Sequence, residues 1–133
     1  MFVTVQCAVF DVRLGRVTVA GAGHHSAVVL SPGSPPRLAF PSTGRVAGMI
    51  TPNEMTSESM NLRSGDTILF FSEGVTEAFD EAEDCVGEER LLAHLRDSPG
   101  LTAAETVQSV LAAVKAHVRD AKQSDDISVV ASR

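Results

Sequence analysis

Apolar and polar positions alternate at period 2 from the second residue onward, with Val3, Val5, Cys7 and Val9 against Thr4, Gln6 and Ala8. This is the signature of a strand, predicted over Phe2 to Phe10. Asp11 to Gly15 reads as a short hairpin loop whose glycine can take positive φ, and Arg16 to Ala20 as the antiparallel return. Ala27 to Leu30 forms a third strand, stopped by the Pro/Gly/Ser cluster from Ser31 to Pro36. A brief extended piece, Arg37 to Phe40, precedes an irregular loop over 41–53. Met55 to Leu62 alternates again and ends at the turn residues Arg63-Ser64-Gly65-Asp66. Thr67 to Phe71 is a continuous apolar run, hence a buried strand.

Beyond Phe71 the period changes to that of helices. Glu88 to Arg96 places Leu91, Leu92 and Leu95 on one face, with Glu88 and Glu89 in the first turn where the helix dipole favours acids. Thr102-Ala103-Ala104-Glu105 is a capping-box pattern. It opens a helix carrying Val107, Val110, Leu111, Val114 and Val118 to about Arg119. Ser124-Asp125-Asp126 then leads into a last strand, Ile127 to Ala131. Antiparallel strands, then helices, then one closing strand define an α+β class. A chain whose pattern starts inside a strand, with no polar residues to spare before it, reads as a fragment.

The 133 residues match one domain in size (1–133), and 44% hydrophobic against 21% charged residues is the composition of a core former. Cys7 and Cys85 make no disulfide framework and read as thiols of a cytoplasmic protein. Eleven basic residues against 17 acidic ones, net −6, argue against a nucleic-acid or anionic-membrane surface. No stretch has the length of a membrane span, and the N-terminus lacks the basic region of a signal peptide. Eight of the 17 acids lie between Glu73 and Glu89, with no basic residue before Arg90. Such a run is a solvated loop or the edge of a cation site.

Five features bear on chemistry. Gly21-Ala22-Gly23 is followed by a strand and not by a helix N-terminus, so a phosphate cradle is disfavoured. His24 and His25, adjacent on an extended backbone, point to opposite sides, which favours a loop histidine bonded to backbone over a chelate. The cysteines lack the spacing of a zinc or nucleophile site. Glu73-Gly74 puts a carboxylate at the end of a buried strand, where the glycine lets the chain turn sharply. Asp125-Asp126 puts two more just before the last strand. Hard divalent cations take oxygens from a few such carboxylates and keep several waters.

Together these segments resemble a known family. Phe2-Val3-Thr4-Val5 through Asp11, Gly15-Arg16, Ala22-Gly23-His24, Ser64-Gly65-Asp66-Thr67, Glu73-Gly74-Val75-Thr76-Glu77-Ala78, Gly87-Glu88-Glu89-Arg90-Leu91 and Asp125-Asp126-Ile127-Ser128 follow its order and spacing. The chain is similar to the metal-dependent, PPM-type serine/threonine phosphatases, in the bacterial branch of sporulation stage II protein E and the sigma-factor regulatory phosphatases. The resemblance covers nearly the whole chain and implies an α-β-β-α sandwich whose N-terminal portion lies upstream of Met1. It implies two Mn²⁺ or Mg²⁺ ions held by aspartates, whose bridging water attacks a phosphoserine or phosphothreonine. By motif match Asp125 is a metal ligand and Glu73 takes the place of the family's strand-end Asp, with Gly74, Asp126 and His24 in support.

The family implies a phosphorylated regulatory protein of the anti-anti-sigma type as partner, a sensor or receiver domain upstream and room for a dimer. Three positions depart from its pattern. Glu73 is one methylene longer than the expected Asp, His25-Ser26 replaces Asn-Pro, and the first metal motif, Gly-Asp-x-x-Gly, is absent from the chain. The isolated chain is therefore expected to hold metal weakly and to show little activity. The alternative is a non-catalytic regulatory or binding module on the same scaffold.

Overall fold

The computed structural model describes residues 1–49, 51–52, 54–123 and 125–133. They form seven strands and three helices, with the strands in two antiparallel sheets of order β1-β2-β5 and β4-β3-β6-β7. The chain divides into two compact units, residues 1–27 with 38–64 and residues 28–37 with 65–133.

In the first unit, β1 (Val5–Asp11) and β2 (Arg16–Ala22) form the predicted hairpin, in register from Val5 opposite Ala22 to Asp11 opposite Arg16. Asp11 closes the loop by accepting the N–H groups of Arg13 and Leu14 at 3.0 Å, and Gly15 takes φ +59°. The alternation has the expected consequence on β2, where Val17 and Val19 are buried. The apolar side of β1 is exposed instead, with Val9 at 64%. The strand β5 (Ser57–Asn61) pairs with β2 and replaces the longer Met55 to Leu62 segment. Gly21 and Gly23 serve packing: each exchanges one backbone hydrogen bond with Gly44, and a Cβ on Gly23 would lie 2.6 Å from Val46 Cγ2.

In the four-stranded sheet, β3 (Ala27–Leu30) and β6 (Thr67–Phe71) fall on the predicted residues. They pair from Val28 opposite Leu69 to Leu30 opposite Thr67. The strand β7 (Val129–Ser132) lies on the other side of β6 and starts two residues later than expected. The short β4 (Arg37–Ala39) follows the Pro-rich turn. Two longer helices, α2 (Gly87–Asp97) and α3 (Ala103–Val118), turn their apolar stripes inward. Val28, Leu69, Phe71, Val75, Leu91, Leu95, Val110 and Val114 make one continuous buried cluster. This is ordinary amphipathic packing, strand face against helix stripe.

The capping box of α3 is formed in full. Thr102 Oγ1 accepts the Glu105 N–H at 3.2 Å, and Glu105 Oε2 accepts the Thr102 N–H at 2.8 Å. These bonds hold the Glu105 carboxyl below its ordinary value of 4.5. A depressed carboxyl pKa stabilises the fold above its unfolded value, and the benefit is lost as pH falls through the folded pKa. Acid titration of far-UV circular dichroism is therefore expected to show fraying of α3 only below the ordinary glutamate range. Glu105→Gln is expected to remove that acid-dependent component. Thr102→Ala is expected to cost about 1 kcal/mol in urea unfolding at neutral pH.

No helix among the described residues is long and apolar enough to cross a membrane. Cys7 and Cys85 are both free thiols, as expected.

Candidate metal centre

The end of β6 and the approach to β7 are stitched together at one serine. Ser72 Oγ donates to the Asp126 carbonyl at 2.9 Å and accepts the Ser128 N–H at 2.9 Å. The Ser72 N–H donates to the Ser128 carbonyl at 2.9 Å. Three hydrogen bonds thus fix Ser72-Glu73 beside Asp126-Ile127-Ser128, so Glu73 and Asp125 each stand one residue away from a pinned position. The segments that carry Glu73 and Asp125-Asp126 run side by side at one end of the four-stranded sheet. Ser124, the first residue of the predicted Ser124-Asp125-Asp126 segment, lies outside the described residues.

Gly74 makes this approach possible, for a reason other than the one expected. The chain does not break at Gly74: Glu73–Thr76 forms a one-turn helix, α1, with Glu77 N–H donating to the Glu73 carbonyl at 2.7 Å. The glycine is required because a Cβ there would lie 2.3 Å from the Asp126 carbonyl oxygen and 2.9 Å from its carbon. Its role is close approach between two segments and not an unusual φ. Steric exclusion of this kind depends on a residue 52 positions away and leaves no local mark in the sequence.

Glu73 is half-buried, whereas Asp125 and Asp126 are exposed. Asp125 Oδ1 accepts the Asp126 N–H at 2.7 Å, and Gln123 Nε2 donates to the Asp125 carbonyl at 2.7 Å. Removing the Ser72 hydroxyl is expected to cost about 0.5–1.5 kcal/mol, the net worth of an ordinary hydrogen bond. Urea unfolding of Ser72→Ala measures it.

His24 lies in the other unit. Its Nδ1 is 3.3 Å from the side-chain hydroxyl Thr4 Oγ1. The expectation that His24 and His25 diverge is also corrected. Residues 24–26 are not in a strand, and the two ring centroids are 4.4 Å apart with a 42° tilt. Alternation of side chains belongs to extended strands and does not extend into this loop.

The acidic run forms a second cluster that the sequence did not reveal. Asp80, Asp84 and His117 bring ligand-type atoms within 4.8 Å of one another. Ordinary loop bonds account for this group. Asp80 Oδ1 accepts the N–H groups of Ala82 and Asp84, and His117 Nε2 is 2.7 Å from the Asp84 carbonyl. Arg90 pairs with Asp84 at 2.6 Å, and its hydrogen bond holds the Asp84 carboxyl below the usual range. A cation is thus already supplied by the chain. The solvated-loop reading fits this end of the run, and only Glu73 at its start belongs to the stitched corner.

The family described as stage II sporulation protein E matches across residues 1–133. Protein IcfG of Synechocystis is 28% identical over 132 residues, covering 98% of this chain and 20% of IcfG. Among solved structures, the SiaA-PP2C domain of Pseudomonas aeruginosa superposes with a TM-score of 0.83 at 21% identity, covering 98% of this chain and 51% of that one. The manganese-presoaked phosphatase domain of the cell fate determinant SpoIIE from Bacillus subtilis gives 0.75 at 17% identity, covering 98% and 56%. The chain therefore has the fold of PP2C phosphatase domains and spans about half the length of these solved structures.

Proposed function

The chain belongs to the stage II sporulation protein E family, and from that premise we propose that it carries the Glu73/Asp125 part of a metal-dependent phosphoserine/phosphothreonine phosphatase site. The observation that supports this most is the Ser72 stitch, which fixes two carboxylate-bearing segments side by side. The donor set suits Mn²⁺ or Mg²⁺, because all its atoms are hard oxygens and the exposed aspartates leave room for the waters such ions retain. When bound, the cation supplies Lewis acidity and lowers the pKa of water.

The remaining work belongs to the chain. Ser72 and Gly74 hold the corner at a spacing that a larger residue would open. Asp125 is oriented by the bond its Oδ1 accepts from the Asp126 N–H. Glu73 reaches further than an aspartate by one methylene, and its half-buried stem limits the directions it can take. The substrate in this reading is a phosphorylated regulatory protein of the anti-anti-sigma type in bacterial signalling.

Mn²⁺-stimulated phosphate release from a phosphoserine peptide tests the activity. This chain alone is expected to stay near background. Robust turnover abolished by Asp125→Ala would overturn the expectation of a weak chain while supporting the site. Turnover indifferent to that substitution would overturn the site.

A further inference from the structure

A groove of about 350 Å³ adjoins the stitched corner, walled by Gly74 and Ile127. Its floor is apolar: Ala78 and Phe79 after α1, and Leu111, Val114 and Val118 of α3. Phe79 is 40% exposed, an aromatic ring left facing solvent. The rim is of one sign. Lys115, Arg119 and Lys122 line it, and no aspartate or glutamate does. In a chain of net −6, three of the 11 basic residues are gathered at this groove.

The rim is built and not incidental. Arg119 takes φ +55° as the C-cap of α3 and donates its N–H to the Lys115 carbonyl at 3.0 Å, which turns the chain back toward Lys122. The neighbouring His117 bonds the Asp84 carbonyl, outside the groove lining. None of the three rim cations forms an ion pair among the described residues.

We infer that this groove docks an acidic segment of a partner protein, with one apolar side chain on the floor beside Phe79 and flanking carboxylates on the Lys115/Arg119/Lys122 rim. Charge complementarity selects that occupant. Three unpaired cations over an apolar floor fit a segment carrying acids around a Leu or Phe, and the volume holds one or two side chains. The inference rests on the proposed phosphatase reading for its consequence: a segment seated here passes beside Gly74, next to Glu73 and Asp125. It names the substrate class as phosphoproteins with acids near the modified residue.

The test is fluorescence anisotropy with the whole chain, in EDTA, using a labelled unphosphorylated twelve-residue peptide of Glu and Asp around a central Leu-Phe. The control peptide has Lys and Arg in place of the acids. Saturable binding of the acidic peptide, but not of the basic one, is expected. Raising salt is expected to weaken it, because a rim exposed to water is screened. The double change Lys115→Glu/Lys122→Glu is expected to weaken it roughly tenfold, with Lys115→Ala/Lys122→Ala and Phe79→Ala as milder variants should the reversal not fold. Equal binding of both peptides, affinity unchanged in the variants, or no binding at all would overturn the inference. So would concentration-dependent self-association that blocks peptide binding, which would assign the groove to a second copy. The assay contains neither cation nor phosphate, so its failure is separable from failure of the metal site.

Discussion

Alanine at position 74 is expected to be among the most damaging small substitutions in the protein. Its Cβ would sit 2.3 Å from the Asp126 carbonyl oxygen, with the Asp126 carbonyl carbon and Ile127 Cγ1 within 3.3 Å. Two of these three atoms are backbone and cannot rotate away, so the two segments must separate. Overpacking of this kind costs about 1–3 kcal/mol and occasionally more, and separation also strains the Ser72 bonds to Asp126 and Ser128. Urea unfolding is expected to show a lower midpoint at unchanged slope. Gly33→Ala makes the informative contrast. Gly33 has φ +74° and no atom within 4 Å of a built Cβ, so it loses stability through backbone strain alone, about 1–2 kcal/mol. Gly33→Ala is expected to leave Mn²⁺ affinity unchanged, whereas Gly74→Ala is expected to reduce both stability and affinity. An alanine at 74 that leaves both untouched would show that the close approach does not hold the corner.

The second large effect concerns Asp125. Loss of a supporting residue around a metal costs about 10–100-fold in affinity, and loss of a direct ligand is expected to cost at least that. Asp125 is exposed and, among the described residues, its side chain bonds the neighbouring Asp126 N–H. Asp125→Ala is therefore expected to remove metal affinity with little change in the unfolding midpoint. Glu73→Asp has the opposite value: it restores the shorter acid of the family pattern. It is expected to retain Mn²⁺ binding, whereas Glu73→Ala is expected to abolish it.

Local signals were legible where the cause of the structure is itself local. The apolar runs of β3 and β6, the stripes of α2 and α3, and the Thr102/Glu105 cap depend on residues within one or two turns of each other. The family was legible, since acids flanking the β6 and β7 segments carry its motif order. The construction of the candidate site was not. Ser72 acts on Asp126 and Ser128 across the sheet, Gly74 is selected by a carbonyl far along the chain, and His117 of α3 reaches the Asp84 carbonyl in a loop. Such contacts leave no periodicity to read. The same holds for His24 and His25, whose rings approach because their loop escapes the strand geometry that was assumed. The groove basicity was hidden as well, because Lys115, Arg119 and Lys122 look like ordinary helix-end charges until the fold sets them around Phe79.

Glu73 and Asp125 are proposed to form part of one cation site. Electron paramagnetic resonance measures it directly, because Mn²⁺ loses its free-ion signal on binding. Titration of Mn²⁺ into the wild-type chain, Asp125→Ala, Glu73→Ala and the Asp126→Ala comparison is the decisive series. The account predicts weak but saturable binding to the wild type, lost in both Asp125→Ala and Glu73→Ala while circular dichroism stays native. Binding that persists unchanged in those two variants, or no binding to the folded wild type, would contradict it.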